Sequence, residues 1–222
     1  MSALSQVTVP LSRQMMLGAV AELCRRDADL ARVVTRHGPP PMWARPPGFA
    51  TLVRIILEQQ VSLSSAKAAF RRLQSGAGRV SAERLSRLSA RRITTFGITR
   101  QKAEFIHGLA TAIGAGHLRL RSLSRSDDLS VRGTLSRIKG IGPWTADIYL
   151  VMALRRPDVW PDRDLALVKS LRNLKRLRSD PSPDVVRRIA AAWVPWRAVA
   201  ARIVWHSYLA EHRNDNPWEG QR

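Results

Sequence analysis

A chain of 222 residues with 45% apolar composition can bury a core of its own, as one large domain or two small packed ones. Thirty-seven Lys and Arg against seventeen Asp and Glu leave a formal charge of +20 and a pI near 11.7. That excess points to nucleic acid or another anionic surface and carries no information about fold. The single cysteine, Cys24, excludes internal disulfides, Cys-based zinc sites and a four-cysteine iron–sulfur cluster, and no apolar run reaches membrane length.

In chain order, Arg13 precedes a short apolar patch, Met15–Ala21, that Glu22 interrupts. A signal peptide is not expected, although the acid-free start weakly mimics a transit peptide. Cys24, within Ala-Glu-Leu-Cys-Arg-Arg at helical spacing, reads as a small core residue. His37-Gly38-Pro39-Pro40-Pro41 reads as a stiff linker between an N-terminal helical segment and a central block. Leu52, Val53, Ile56 and Leu57 begin an apolar stripe, broken by Glu58-Gln59-Gln60 and resumed by Ala66, Ala69, Phe70 and Leu73. Ser81 is placed to cap a helix with Glu83 in its first turn, and Gly97 followed by Thr99 marks one helix ending and the next beginning. Ser179-Asp180-Pro181-Ser182-Pro183 reads as the second linker, with Ser182 and Pro183 as N-cap and first residue of a further helix. Trp196, Val199, Ala200, Ile203 and Val204 then lie on one helical face. Alternating strand patterns are absent. The chain therefore reads as all-α, with about nine to eleven helices at ordinary helix lengths.

The segment from Leu135 to Ala146, Leu-Ser-Arg-Ile-Lys-Gly-Ile-Gly-Pro-Trp-Thr-Ala, stands out. Two glycines flank Ile141, and a proline suited to the first turn of a helix follows. Such a turn presents backbone N–H groups to an anion, and in so basic a chain the expected anion is a DNA phosphate. Gly140, Gly142, the N–H of Thr145 and the side chain of Lys139 are the phosphate-binding candidates; Pro143 has no N–H to give. Downstream runs Val159-Trp160-Pro161-Asp162-Arg163-Asp164-Leu165. Asp164 is placed to cap the helix carrying Leu165, Leu167, Val168 and Leu171. Capping would also orient its carboxylate, which could stabilise oxocarbenium-like charge on a sugar or direct a water to the anomeric carbon. Asp162 is the alternative carboxylate two residues earlier.

This hairpin with its downstream aspartate resembles the helix-hairpin-helix-Gly-Pro-Asp superfamily of DNA glycosylases, and within it the bacterial 3-methyladenine DNA glycosylase II type. The resemblance runs over most of residues 45–210. It includes Ile55-Ile56-Leu57-Glu58-Gln59-Gln60-Val61-Ser62, Gly97-Ile98-Thr99 with Lys102-Ala103, the Lys139–Ala146 turn, and Trp193-Val194-Pro195-Trp196-Arg197 with Ala200 and Trp205. It implies a two-lobed all-α fold without an N-terminal β-sheet domain. Residues 1–41 would pack with the C-terminal helices of 166–222 as one lobe. Residues 42–165, bearing the hairpin at 135–146, would form the other, with the pocket between them.

The resemblance also implies roles. Asp164 matches the catalytic aspartate. Gln60 falls where related enzymes insert a wedge into the gap left by an extruded base; the best-known of them uses leucine, and a glutamine could instead hydrogen-bond the orphaned partner. Trp144 occupies the position of the Schiff-base lysine of bifunctional glycosylase/lyases and has no amine, so a monofunctional enzyme is expected. Hairpin carbonyls in the superfamily often hold a monovalent cation; no other cofactor and no protein-held metal are expected, and the five histidines show no metal-ligand spacing. Of seven tryptophans, Trp193, Trp196 and Trp205 read as core, whereas Trp144, Trp43 and Trp160 lie beside turns or motif residues and are base-pocket candidates. His206 reads as structural. The expectation is a monomeric bacterial DNA-repair enzyme, cytoplasmic and nucleoid-associated, with no membrane partner. It would flip and release alkylated purines from damaged double-stranded DNA. The rivals are a glycosylase for ethenoadenine, deaminated or oxidised bases, and a non-catalytic DNA-binding protein.

Overall fold

Local capping chemistry sets where most helices begin. The computed structural model describes residues 9–212, and the helices in chain order are α1 (Arg13–Arg26), α2 (Ala28–His37), α3 (Phe49–Glu58), α4 (Leu63–Ala77), α5 (Ala82–Ser86), α6 (Ala90–Thr94), α7 (Arg100–Gly114), α8 (Asp128–Ser136), α9 (Pro143–Met152), α10 (Leu165–Leu174), α11 (Pro183–Ala191) and α12 (Arg197–Glu211), with a 3₁₀ helix at Leu120–Arg125. No strand occurs among the described residues. All but α3, α9 and α12 open on a Ser, Thr or Asp whose side chain accepts from a first-turn N–H. Ser81, Thr99 and Ser182 are among them, as their sequence context predicts. The twelve α-helices among the described residues exceed the nine to eleven expected because α5 and α6 have five residues each, too few to show a helical period.

The described residues fall into two compact units. The first spans Arg45–Leu154; the second joins residues 9–44 to 155–212. The sequence boundaries at 41/42 and 165/166 thus shift to 44/45 and 154/155. Residues 155–164 belong with the second unit because Ala198 N donates to Pro157 O (3.0 Å) and Arg197 clasps Asp158 through Nε (2.8 Å) and Nη2 (2.9 Å). The ends of the outer segments, 1–8 and 213–222, lie outside the described residues. Residues 179–182 lie in the loop from α10 to α11 within the second unit and Pro183 opens α11, whereas Pro39–Pro41 lies just ahead of the 44/45 boundary.

In the first unit α3 packs on α4, α7 and α9, and α8 packs on α9. Every residue of α9 from Thr145 to Met152 is buried, the polar Thr145 and Asp147 included, so the helix is enclosed on all faces. Gly48 N donates to Tyr149 Oη at 3.0 Å, pinning the start of α3 to α9, and burial pushes the Tyr149 hydroxyl up to about 12. In the second unit α12 is central, with Ala198–Trp205 buried without interruption and α1, α2, α10 and α11 around it. The Met15–Ala21 patch belongs to α1, where Met16, Ala19 and Val20 enter that core. Cys24 is half-buried rather than core, and burial, then the nearby Asp27 charge, raises its thiol.

Candidate functional site

The hairpin is built by its own turn chemistry. Ile138 N donates to Leu135 O and Ile141 N to Ile138 O, each at 3.0 Å, tightening the link from α8 to α9. Gly140 sits at φ +91, and a Cβ there would overlap the Phe105 ring of α7, so both backbone freedom and close approach require glycine. Gly142 leads into α9 with Pro143 at its first position and supplies no side-chain cap. First-turn N–H groups have no intrahelical acceptor, so Thr145 N–H stands at a dipole-positive helix start. Lys139 and Gly142 are exposed, Gly140 and Trp144 are half-buried, and Thr145 is buried. Arg132 Nε donates to the buried Asp147 Oδ1 at 2.6 Å and braces α8 against α9. Of the hairpin carbonyls, Gly140 O accepts from Gln59 and Ile138 O from Ile141; each carbonyl oxygen has a second lone pair for a cation.

Gln59 and Gln60 part company. Gln60 follows the end of α3 at φ +57 with its side chain exposed, a geometry that presents an amide to solvent beside the hairpin. Gln59 is half-buried, and its Nε2 donates to Gly140 O and to Thr145 Oγ1, both at 2.9 Å. Lys102 of α7 donates Nζ to Leu57 O (2.7 Å) and Gln59 O (2.8 Å), satisfying carbonyls at the α3 C-terminus. Burial lowers the Lys102 ammonium, with Glu58 opposing. The sequence had flagged the polar break; the roles of Gln59 and Lys102 come from contacts invisible to spacing.

In the second unit, Asp164 caps α10. Its backbone N donates to Pro161 O at 3.4 Å, and the intervening Arg163 takes φ +64, so the chain reverses into the helix. Leu167 N donates to Asp164 Oδ1 at 2.9 Å and Trp205 Nε1 to the same oxygen at 3.2 Å. Asp164 is 8% exposed, so two converging N–H donors fix an oxygen that burial would otherwise penalise. Asp162 is half-buried and caps nothing. Trp205 is buried as the core reading expects, and the same stripe position that buried it also aims its indole N–H at Asp164.

The pocket tryptophans are separately housed. Trp43 is buried at φ +47, with its ring edge-on to His206 at 6.2 Å. The wholly buried Arg202 holds the preceding carbonyl, donating Nε to Met42 O at 2.9 Å, and burial brings its guanidinium down to about 10. His206 is half-buried, and burial, then the nearby His37, lowers its imidazole. Trp160 is buried with its ring 5.4 Å from Trp193. Trp193 Nε1 donates to Asp27 Oδ2 at 2.9 Å, and Lys175 Nζ reaches the same carboxylate at 2.7 Å. Trp196 departs from its core reading: it stands at the N-cap of α12, half-buried, with Nε1 donating to Glu22 Oε2 at 2.7 Å. Trp144 lies in the first turn of α9, in the first unit. Among the described residues no group of three or more His, Cys, Asp or Glu is placed to hold a metal, and no helix is long and apolar enough to cross a membrane.

Comparison with known proteins places these features in context. Residues 53–196 match the family model of the HhH-GPD superfamily base excision DNA repair protein. A DNA-3-methyladenine glycosylase of Bacillus subtilis (strain 168) is 31% identical over 123 residues, 55% of this chain but 41% of that protein. DNA-3-methyladenine glycosylase 1 of Schizosaccharomyces pombe is 26% identical over 188 residues, covering 82% of each chain. The structure of S. pombe 3-methyladenine DNA glycosylase (Mag1) in complex with abasic DNA aligns with a TM-score of 0.79 at 24% identity, over 90% of this chain and 98% of that one, which establishes the shared fold.

Proposed function

Because this chain belongs to the HhH-GPD superfamily of base-excision DNA repair proteins, we propose that it is a monofunctional DNA glycosylase. Its substrates would be alkylated purines in duplex DNA, chiefly 3-methyladenine, with 7-methylguanine second. The observation that carries the reading is Asp164, a buried carboxylate clamped by Leu167 N–H and Trp205 Nε1–H at the head of α10.

The alkylated base already carries positive charge, so its glycosidic bond is weak and a dedicated general acid is not needed. As the bond breaks, its electron pair passes to the departing base, which leaves neutral, and positive charge builds on the sugar. Asp164 stabilises that charge and directs water to the anomeric carbon. The water oxygen bonds to that carbon, its proton passes to Asp164 or solvent, and an abasic site remains. Water is the only co-reactant, and the enzyme works as a monomer on damaged double-stranded DNA.

The target nucleotide must leave the stack to be reached. Gly140, Gly142, Thr145 N–H and Lys139 take a backbone phosphate, and exposed Gln60 enters the duplex and hydrogen-bonds the orphaned base. The half-buried indole of Trp144 would favour a cationic purine by about 0.5–2 kcal/mol, whereas Trp43 and Trp160, also pocket candidates by sequence, are buried within the second unit, Trp160 against Trp193. Trp144 offers no amine, so no imine forms and borohydride should trap no covalent enzyme–DNA adduct.

The test is chromatographic detection of bases freed from N-methylated duplex DNA. Release of 3-methyladenine and 7-methylguanine is the expected outcome. Intact DNA binding with no release would overturn the alkylpurine reading in favour of another lesion or a non-catalytic role.

A further inference from the structure

Three features of the first unit converge at one point. The α3 C-terminus is held by Lys102 Nζ on Leu57 O and Gln59 O, at 2.7 and 2.8 Å. The Gln59 side chain reaches the hairpin, donating both amide hydrogens from Nε2, one to Gly140 O and one to Thr145 Oγ1. The hairpin in turn seats Gly140 directly against Phe105, which lies one turn beyond Lys102 on the same face of α7. The result is a closed circuit from α3 through the hairpin to α7 and back. The residue that leaves this circuit is Gln60, exposed and in the left-handed region at φ +57.

We infer that Gln59 is a positioning residue that couples the hairpin to the Gln60 turn, so that seating the hairpin on the DNA backbone fixes where Gln60 enters the duplex. The inference rests on the proposed reading of Gln60 as the wedge. Its physical basis is stiffness. A residue at positive φ after a helix end would ordinarily sample several arrangements, but here the carbonyl and the side chain of its immediate predecessor are both tied down. Thr145 makes the link specific: its N–H is the donor proposed above for a backbone phosphate, and its hydroxyl accepts from Gln59. Displacing the Thr145 turn therefore displaces Gln59 and, with it, the base of the wedge. A glutamine that merely filled space would need neither of its two donors aimed at the hairpin.

A double-mutant cycle decides this. Gln59→Glu preserves size but turns the donor into an acceptor facing Gly140 O; Gln59→Met removes the donors without adding charge. Both are combined with Gln60→Ala, and affinity is measured for a duplex carrying a tetrahydrofuran abasic analogue and for the same duplex undamaged. Each Gln59 variant should lower the preference for the abasic duplex about tenfold, the scale of one or two hydrogen bonds. The thermal midpoint should fall by the cost of the lost hydrogen bonds, so the readout is the ratio of the two affinities, in which a loss common to both duplexes cancels. On the Gln60→Ala background the Gln59 change should add nothing. Additive losses, or equal loss on both duplexes, would overturn the coupling. If Gln60→Ala alone leaves the preference intact, the wedge reading itself fails, and that result is separate from any failure of Gln59.

Discussion

Replacing Gly140 with alanine should destabilise the hairpin in two separable ways. The residue sits at φ +91, where an L side chain costs about 1–2 kcal/mol. The added Cβ would also meet Cγ, Cδ1 and Cδ2 of Phe105, all closer than 3.0 Å. The ring is part of a packed helix and can yield only by shifting, an overpacking cost of about 1–3 kcal/mol. The sum, about 2–5 kcal/mol, is a large share of the 5–15 kcal/mol that holds a typical protein folded. For a chain of this size it lowers the thermal midpoint by about 4–20 °C. Denaturant unfolding of Gly140→Ala measures the sum. The double variant Gly140→Ala/Phe105→Ala, compared with Phe105→Ala alone, should recover the overpacking share, because it removes the Cγ, Cδ1 and Cδ2 atoms that the new Cβ meets, and leave the backbone share. An unchanged midpoint in Gly140→Ala, or full recovery in the double variant, would refute this account of the turn.

Trp205→Phe keeps the buried ring and deletes the N–H donated to Asp164 Oδ1. With a hydrogen bond to a charged group worth about 1.5–3 kcal/mol, kcat for base release should fall about 10–100-fold while affinity for undamaged DNA is preserved; a change within twofold would dismiss Trp205 as a partner of the carboxylate. Stability should also track the Asp27 cluster. Burial alone would raise the Asp27 carboxyl, but hydrogen bonds from Lys175 and Trp193 outweigh it and the group titrates below its ordinary value. Its contribution is therefore present above the unfolded carboxylate range near pH 3.9 and lost as pH falls through the lowered folded value. Lys175 is the mirror case. Burial alone would lower it, but Asp27 and Asp29 raise it, so its contribution holds below about pH 10.4 and fades as pH rises through the raised folded value. Asp27→Asn should flatten the acid limb of a stability–pH curve, and an unaltered limb would show that the cluster is not its source.

What the sequence made legible was local. The α3 stripe, the caps at Ser81, Thr99 and Ser182, the Gly142-Pro143 opening of α9 and the Asp164 cap all depend on neighbours within a few residues. Residues whose partners lie far along the chain were read by composition and lost half their meaning. Trp205 looked like core because its stripe is apolar, yet its indole N–H meets a carboxylate 41 residues away. Gln59 read only as part of a polar break in the α3 stripe, and its two acceptors lie 81 and 86 residues on. Ser179–Pro183 had linker composition, but α10 and α11 on either side of it pack on α12.

The measurement that reaches the central claim most directly is single-turnover release of 3-methyladenine from methylated duplex DNA by wild type and Asp164→Asn, with DNA affinity followed in parallel. Asparagine caps helices as well as aspartate, so the substitution spares α10 while removing the charge. The account predicts release by the wild type, a loss of about 10²–10³-fold or more in the variant, and affinity within a few-fold of wild type. Equal release by the two proteins would contradict it.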